Sequence, residues 1–389
     1  MAPTTPTTTR RTAPTTAPTI RPRTRRHPLR RPLRRLGSTL AGAVLASSVL
    51  VACSDNDDDT SAADTSVNST NDASEGILAG GNQGNGEIVQ AIDIRTDVPG
   101  ENLGDRFVER IHYPVRDGAA DPTQNWADFY LPEGHHDVDT VPLVIFIHGG
   151  AWHGGASNVR PIVQKLAERG MAVLNVEYRD ISNGGGYPET FSDVADALDY
   201  VPALDQRHPE ITTDDETVVG HSAGAQLAAW AGTRGDLDEH QIGANPKFTP
   251  SRVVSLAGPL DLVWAAENGD HNIVTAMRGT PEEVPDKYNN VDPIQNISRK
   301  VPVVAMHGLN DNLVPKDNSE HYVDAVTRAG GNAKLVLMEG EDHVSFLQES
   351  SPHFEKILDV IHKVTTHPRE TLRDKLDGAT VDLAEGLRH

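Results

Sequence analysis

Residues 217–224 read Thr-Val-Val-Gly-His-Ser-Ala-Gly, and an alanine-rich segment follows them. The run from Thr217 to Val219 predicts a strand, and the segment from Ala223 to Trp230 predicts a helix. Between them stands the pattern G-x-S-x-G, in which a serine occupies a strained turn and glycine at the flanking positions allows neighbouring chain to approach closely. This context predicts that Ser222 presents its hydroxyl as a nucleophile at the end of a buried strand.

Outward from this turn, short apolar runs alternate with helical segments over residues 107–364, which is typical of βα units around a mostly parallel sheet. The first two apolar runs have no helix between them, so we expect an antiparallel edge there. We predict eight strands, at Phe107 to Tyr113, Trp126 to Leu131, Leu143 to Ile147, Ala172 to Glu177, Thr217 to Val219, Arg252 to Leu256, Val303 to Met306 and Lys334 to Met338. Helices are predicted near Val159 to Arg169, Thr190 to Leu204, Ala223 to Trp230, Asp317 to Ala329 and Pro352 to Val364.

The segment from Leu262 to Ile297 is longer than a connection between strand and helix needs, and it carries no strand signal. Long insertions of this kind are commonly functional, so we interpret it as a small cap over the site. The alternative is a surface excursion without substrate contact.

A nucleophilic serine needs a base and a group that orients the base, and with G-x-S-x-G these follow in the order serine, acid, histidine. Asp311 comes after the strand that begins at Val303, and His343 comes after the next strand. The carboxyl ends of parallel strands share one crevice, so Ser222, Asp311 and His343 can converge. Asp261 remains an alternative acid.

The sequence His-Gly-Gly-Ala-Trp, residues 148–152, directly follows the third predicted strand. Acyl transfer develops negative charge on a carbonyl oxygen, and glycines at this place let the backbone turn its amides toward that oxygen. We assign the N–H groups of Gly150, Ala151 and Ala223 to such an oxyanion hole. Trp152 is expected to pack under the loop.

Together, His-Gly-Gly-Ala-Trp and Gly-His-Ser-Ala-Gly resemble the serine hydrolases of the α/β-hydrolase superfamily over roughly residues 107–364. They are similar to the esterase branch with hormone-sensitive-lipase-like carboxylesterases, bacterial acetyl and feruloyl esterases, and kynurenine formamidase. The chain departs from the lipase-like HGGG pattern at Ala151, where a third glycine would stand. Arg179 also looks family-like, with a structural role through pairing with Asp193 or Asp196.

The resemblance implies an α/β-hydrolase fold, with a mostly parallel eight-stranded sheet flanked by helices and a small cap. It implies a catalytic triad of Ser222, Asp311 and His343, a small-molecule ester substrate and no cofactor. We therefore expect hydrolysis of carboxylic esters through an acyl-enzyme. The alternatives are an arylformamidase or amidase on the same triad, and a non-catalytic binding lipoprotein.

Two further groups of residues invite a functional interpretation. His135 and His136 lie in a polar loop that could bind a metal, but a solvated turn is the better prediction, and no metal site is assigned. The three glycines 184–186 are not in a phosphate-binding pattern and predict a flexible loop beside the cleft.

Residues 1–52 contain ten arginines and no acidic residue, and they end in an uncharged run from Leu36 to Ala52. This pattern predicts a secretory signal, and the Leu-Val-Ala-Cys sequence ending at Cys53 resembles the lipobox of bacterial lipoproteins. An uncleaved signal anchor is the alternative, and both predict an exported, membrane-anchored protein. We divide the chain into a leader at 1–52, a disordered acidic tether at 53–75 and a catalytic domain at 76–389, with its core at about 107–364 and the cap at about 262–297.

Charge and cysteine content exclude several classes of function. The whole chain carries −21 and the leader +10, so the remainder carries −31. A body this acidic repels phosphate backbones and anionic headgroups, which argues against nucleic-acid binding and leaves a lipid anchor as the expected membrane contact. The single cysteine rules out a disulfide within the chain. Nothing in the sequence indicates an oligomeric state.

Overall fold

The computed structural model describes residues 103–116 and 118–367, all within the second of two units of the chain, Asn82–His389. The predicted leader, Cys53 and the tether lie outside the described residues. So do both ends of the proposed catalytic domain.

Eight strands in the described part of the chain form one sheet, in the order β1-β2-β4-β3-β5-β6-β7-β8. Strand β2 is antiparallel to both of its neighbours, and all other pairs are parallel. The predicted fold class and the antiparallel edge are therefore confirmed. The strands are β1 Phe107–Ile111, β2 Ala127–Tyr130, β3 Val141–Ile147, β4 Ala172–Val176, β5 Ile211–His221, β6 Arg252–Leu256, β7 Val303–Gly308 and β8 Ala333–Met338.

Helices cover both faces of this sheet. The described α-helices are α1 Arg160–Glu168, α2 Glu189–Asp199, α3 Val201–Arg207, α4 Ala223–Ala231, α5 Leu262–Glu267, α6 His271–Met277, α7 Pro285–Val291, α8 Asp317–Arg328 and α9 Phe354–Thr366. The single helix predicted from Thr190 to Leu204 is wrong, because it breaks at Tyr200 into α2 and α3. Pro202 lies in the first turn of α3, and without an N–H it cannot continue the bonding of α2.

The core lies on both faces of the sheet, as the apolar run in β3 requires. Leu143, Ile145 and Ile147 are buried on one face, where α2, α4 and α8 contribute apolar side chains. Val144 and Phe146 are buried on the other face with residues of α1 and α9. A strand covered on both faces is held rigidly, so the loop at its carboxyl end has a firm base.

The insertion between β6 and β7 contains the three short helices α5, α6 and α7. Several hydrogen bonds tie it to the sheet domain. The Gln226 side chain in α4 donates to the Val291 carbonyl at 2.8 Å, and the Tyr187 amide donates to the Ala276 carbonyl at 2.8 Å. Among the described helices, none is long and apolar enough to cross a membrane.

Candidate active site

Ser222 stands in a strained turn between β5 and α4, with φ 54° and ψ −122°. A Cβ at Gly220 would lie 2.1 Å from the carbonyl oxygen of Gly224, and a Cβ at Gly224 would lie 2.1 Å from that of Ile147. The Ser222 amide donates to the Leu256 carbonyl at 2.9 Å, which ties the turn to the end of β6. Both glycines are therefore required by close backbone contacts.

The side chains of Ser222, His343 and Asp311 form a continuous hydrogen-bonded chain. The Ser222 Oγ lies 2.8 Å from His343 Nε2, and His343 Nδ1 lies 2.8 Å from Asp311 Oδ2. With the imidazole neutral and its proton on Nδ1, the serine hydroxyl donates to Nε2 and Nδ1–H donates to the carboxylate. The three residues meet because β5, β7 and β8 end at one edge of the sheet.

The Asp311 carboxylate is held in its ionised form. Its Oδ1 accepts hydrogen bonds from the amides of Leu313 and Val314, each at 2.9 Å, and Oδ2 lies 3.3 Å from the Nε2 of buried His307. Burial by itself raises the pKa of Asp311. The hydrogen bonds from His307, His343 and the Val314 amide outweigh this effect and hold the pKa well below the usual range. A carboxylate that stays charged can orient an imidazole and offset its positive charge.

Asp261, the alternative acid, has a different environment. It lies at the start of α5, where its carboxylate accepts a hydrogen bond from the Trp264 amide at 3.1 Å. Its other oxygen lies 3.1 Å from Nδ1 of His321 on α8. The structure therefore brings Asp311 to His343 and uses Asp261 as a helix cap.

His221, which the sequence analysis did not single out, is also part of this arrangement. Its Nε2–H donates to the carbonyl oxygen of His343 at 2.7 Å, and the two rings lie 5.0 Å apart. Burial, together with the neighbouring imidazole of His343, lowers the pKa of His221 to about 4. A neutral His221 therefore fixes the backbone of His343 without adding positive charge beside it.

The backbone of residues 150–152 turns sharply next to Ser222. Gly150, Ala151 and Trp152 have φ values of 106°, 54° and 60°, so the third position of the HGGG pattern favours glycine but carries alanine here. A Cβ at Gly149 would lie 2.5 Å from the His221 carbonyl oxygen. Between residues 103 and 367, no protein acceptor is described for the amides of Gly150, Ala151 and Ala223. These N–H groups are available to bind an oxyanion.

Buried side chains hold this loop from below. His148 Nε2 lies 2.8 Å from Glu177 Oε1, and the His148 ring stacks on Tyr178 with centroids 4.2 Å apart. The Tyr178 hydroxyl donates to the His148 carbonyl at 2.9 Å, while the Ala156 amide donates to Glu177 Oε2 at 2.8 Å. Trp152 is buried as expected, and it also borders the cleft.

Arg179 pairs with Asp193, which resolves the two alternatives from the sequence. Its Nε and one terminal nitrogen contact the two carboxylate oxygens of Asp193 at 2.7 and 2.6 Å. Asp196 instead accepts a hydrogen bond from the Arg116 amide at 2.8 Å.

The flexible loop predicted at glycines 184–186 is wrong. Gly185 and Gly186 are buried, and the Gly185 amide donates to the Asp180 carbonyl at 2.8 Å. A Cβ at Gly185 would lie 1.9 Å from the Arg179 carbonyl oxygen, so this is a tightly packed turn. Among the described residues that line the cleft, none is one of these three glycines.

His136, one of the two histidines considered for a metal site, donates from Nε2 to the Pro132 carbonyl at 3.0 Å. Over the described residues, no group of three or more His, Cys, Asp or Glu side chains is arranged to hold a metal ion.

A cleft of about 750 Å³ opens above Ser222. One wall belongs to the loops that follow β7 and β8, and another belongs to α5, α6 and the turn between them. The insertion thus lines the same cleft as Ser222 and His343. The cap contributes Trp264, Ala265, Asn268, Gly269, Asp270, His271 and Asn272, and the loops contribute Asn312, Leu313, Val314, Pro315, His343, Val344 and Leu347.

The sequence model of the BD-FAE family matches residues 127–326, which include β2 to β7, Ser222 and Asp311. The chain belongs to the BD-FAE family of α/β-hydrolase esterases. This family assignment agrees with the resemblance inferred from the two sequence motifs.

Curated relatives of the BD-FAE chain include esterases from plants and bacteria. It is 29% identical over 268 residues to the isoprenylcysteine alpha-carbonyl methylesterase ICME of Arabidopsis thaliana, covering 62% of this chain and 60% of that protein. It is 26% identical over 194 residues to the probable carboxylic ester hydrolase LipM of Mycobacterium tuberculosis, covering 48% and 44%. The chain thus spans less than two thirds of the length of each of these relatives.

Solved structures support the same fold. Butyrate-bound Est2, an esterase of Thermogutta terrifontis, superposes with a TM-score of 0.55 at 20% identity, covering 67% of this chain and 93% of that one. A truncated carbohydrate esterase from gut microbiota gives a TM-score of 0.54 at 20% identity, covering 68% and 98%. At this identity the likeness concerns the fold alone.

Proposed function

We propose that this BD-FAE protein hydrolyses carboxylic esters through an acyl-enzyme on Ser222, with His343 as the base and Asp311 as the group that orients it. The observation that carries the proposal is the hydrogen-bonded chain from Ser222 Oγ through both ring nitrogens of His343 to Asp311, with each link at 2.8 Å. Relatives named methylesterase and carboxylic ester hydrolase support the reaction class.

In the first half of the reaction, Ser222 Oγ attacks the ester carbonyl carbon while His343 Nε2 takes the hydroxyl proton. The carbonyl oxygen becomes an oxyanion, and the amides of Gly150, Ala151 and Ala223 donate hydrogen bonds to it. Each such donor lowers the barrier by about 3 kcal/mol. The bond from the carbonyl carbon to the alkoxide oxygen then breaks, and His343 Nε2–H protonates that oxygen, so that the group leaves as the alcohol.

In the second half, a water molecule replaces the alcohol. His343 accepts a proton from this water as it attacks the acyl carbonyl, the same amides bind the oxyanion, and the bond to Ser222 Oγ breaks with return of the proton to the serine. The acid product leaves the cleft. His343 is positively charged in both tetrahedral states. Because its low pKa keeps Asp311 negatively charged, the Asp311 carboxylate stabilises the imidazolium in both.

The test is hydrolysis of p-nitrophenyl acetate together with labelling by a fluorophosphonate probe. The wild-type protein should release p-nitrophenol and take up one probe per chain, because only an activated serine reacts. Ser222→Ala should lose both while its circular dichroism stays unchanged. A folded wild-type protein that is neither labelled nor active would contradict the proposal.

A comparison of several substrates distinguishes esterase activity from the formamidase alternative. N-formylkynurenine is offered beside acetyl, butyryl and feruloyl esters, and kcat/KM is compared. We expect the esters to be preferred, because an exported enzyme meets external esters rather than an intracellular formamide. A clear preference for the formamide would reverse this ranking.

We propose in addition that the protein is exported and anchored by acyl chains on Cys53. The arginine-rich leader, the uncharged run of residues 36–52 and the position of the single cysteine directly after that run support this location.

A further inference from the structure

Two apolar side chains are exposed at the mouth of the catalytic cleft. Five large apolar residues in the described part of the chain are notably exposed, and two of them, Leu313 and Val344, line this cleft. Their exposed fractions are 69% and 46%. Val314, Pro315 and Leu347 are further apolar residues of the cleft lining in the same two loops. Together, Leu313, Val314, Pro315, Val344 and Leu347 are called the apolar wall below.

The apolar wall is fixed to the groups that carry out the chemistry. The Leu313 amide donates to Asp311 Oδ1 at 2.9 Å, so this leucine cannot move away without releasing the acid. Val344 directly follows His343, and its amide donates to Asp342 Oδ1 at 3.0 Å. The backbones of Leu313 and Val344 are therefore held next to the acid and the base, and both residues line the cleft that contains Ser222 and His343.

The wall formed by the insertion combines apolar and polar residues, and Trp264 and Ala265 of α5 are its apolar members. Asn268, Asp270, His271 and Asn272 line the cleft at the turn between α5 and α6. Asp270 is committed to this turn, because its carboxylate accepts hydrogen bonds from the amides of Asn272 and Ile273 at 3.0 and 3.3 Å. The polar residues at this turn belong to the insertion, whereas Leu313 and Val344 lie in the loops that carry Asp311 and His343.

Proton transfer determines which part of an ester lies beside His343. His343 Nε2 must protonate the leaving oxygen, so the alcohol portion lies within hydrogen-bond reach of the imidazole. The carbonyl oxygen is bound at the amides of residues 150, 151 and 223. We propose that Leu313 and Val344 form an alcohol-binding site that selects esters of apolar alkyl or aryl alcohols. This inference rests on the proposed esterase function.

The experiment measures kcat/KM for the acetate esters of methanol, butanol and hexanol, with the acyl group held constant. Each methylene that packs on the apolar wall should raise kcat/KM about fourfold, until the chain extends past the rim. Leu313→Ser and Val344→Ser should each lower the ratio of the hexyl to the methyl ester several-fold, because a hydroxyl replaces the apolar contact.

Leu309→Ser is the matched control. Leu309 lies in the same loop after β7 and is 45% exposed, but it is not among the residues that line the cleft. Its substitution should leave the hexyl-to-methyl ratio unchanged. Circular dichroism of all three variants checks that the fold is retained.

Three other results would contradict the alcohol-binding site. A hexyl-to-methyl ratio near one, with hydrolysis that depends on Ser222, contradicts the alcohol-binding site and leaves the esterase function intact. The variants are also compared on methyl acetate and methyl butyrate; a changed ratio between these two esters, with an unchanged hexyl-to-methyl ratio, assigns the wall to the acyl group. A protein that hydrolyses none of these esters contradicts both the inference and the proposed function.

Discussion

At the scale of single residues, the carboxylate of Asp311 has the most constrained role. It accepts hydrogen bonds from two backbone amides and contacts two imidazoles, and this environment holds the pKa of Asp311 well below the usual range. Asp311→Asn keeps the shape but removes the charge and favours the wrong tautomer of His343. We expect kcat to fall by about four orders of magnitude with little change in the unfolding temperature.

Asp261→Asn is the control for that substitution, because Asp261 caps α5 and pairs with His321. It should cost about 1 kcal/mol of stability at most through the weakened cap and leave most of kcat. Steady-state kinetics with p-nitrophenyl acetate and thermal unfolding measure both effects. A nearly silent Asp311→Asn beside a crippled Asp261→Asn would mean that the acid is misassigned.

His221 makes stability depend on pH with a definite sign. Its pKa is about 4 in the folded protein, against about 6.5 in the unfolded chain. Below pH 6.5 the unfolded chain binds a proton that the folded protein refuses, so stability falls as the pH drops from about 6.5 to about 4 and then levels off. The loss attributable to this group is on the order of 3 kcal/mol.

His221→Gln should remove this contribution while keeping a donor for the His343 carbonyl. Urea unfolding at pH 7.5 and at pH 4.5 gives the free energy of unfolding of both proteins. The difference between the two pH values should be smaller in the variant than in the wild type. Equal differences would show that His221 titrates normally in the folded protein.

Sequence order was sufficient to propose the triad, but it could not reveal His221. Ser222, Asp311 and His343 each follow a recognisable strand, and parallel strands of one sheet deliver their ends to one edge. His221 acts through a hydrogen bond to a backbone carbonyl 122 residues away. Every residue has a backbone carbonyl, so the amino-acid type does not show which carbonyl will accept a hydrogen bond. Only the folded geometry identifies this contact.

At the scale of elements, the turn between β5 and α4 tolerates no added atoms. A Cβ at Gly220 would lie 2.1 Å from the Gly224 carbonyl oxygen, a backbone atom that cannot move without displacing the helix. Gly220→Ala should therefore destabilise the protein by about 3 kcal/mol or more and abolish turnover. Thermal unfolding and kcat measure the two effects.

Gly235→Ala is the matched control for that substitution. A Cβ at Gly235 would meet its nearest neighbour, the Thr249 side chain, at 3.4 Å, which is ordinary van der Waals contact. Its unfolding temperature and kcat should stay close to those of the wild type. Similar losses in both variants would mean that the effect at Gly220 reflects a general sensitivity to alanine.

Elements with strong apolar patterns were predicted almost to the residue, whereas polar extensions were not. The strand Arg252–Leu256 has the same bounds in both. The predicted strand from Thr217 to Val219 is in fact Ile211–His221, because polar residues 212–216 precede its apolar part. Val141 and Pro142 pair with Ile211 and Thr212 through the backbone, which side-chain polarity does not reveal.

At the scale of the whole molecule, charge and location are connected. Residues 53–389 carry −31 while the leader carries +10. A body this acidic is repelled by anionic headgroups, so electrostatic attraction cannot hold it on a membrane. Attachment of an exported protein of this composition would have to come from a hydrophobic group, and the predicted lipobox supplies a thiol for acylation.

Cys53→Ser tests this anchor in a bacterial host that processes lipoproteins. One acyl chain binds a bilayer only marginally, so stable attachment needs more than one chain on the cysteine. The wild-type protein should incorporate labelled fatty acid and sediment with membranes, whereas Cys53→Ser should do neither. Ser54→Ala is the matched control and should behave like the wild type. Specific activity should be equal in all three, because the proposed catalytic groups lie between residues 148 and 343. Fatty acid that still labels Cys53→Ser, or wild-type protein found soluble in the cytoplasm, would refute the lipobox.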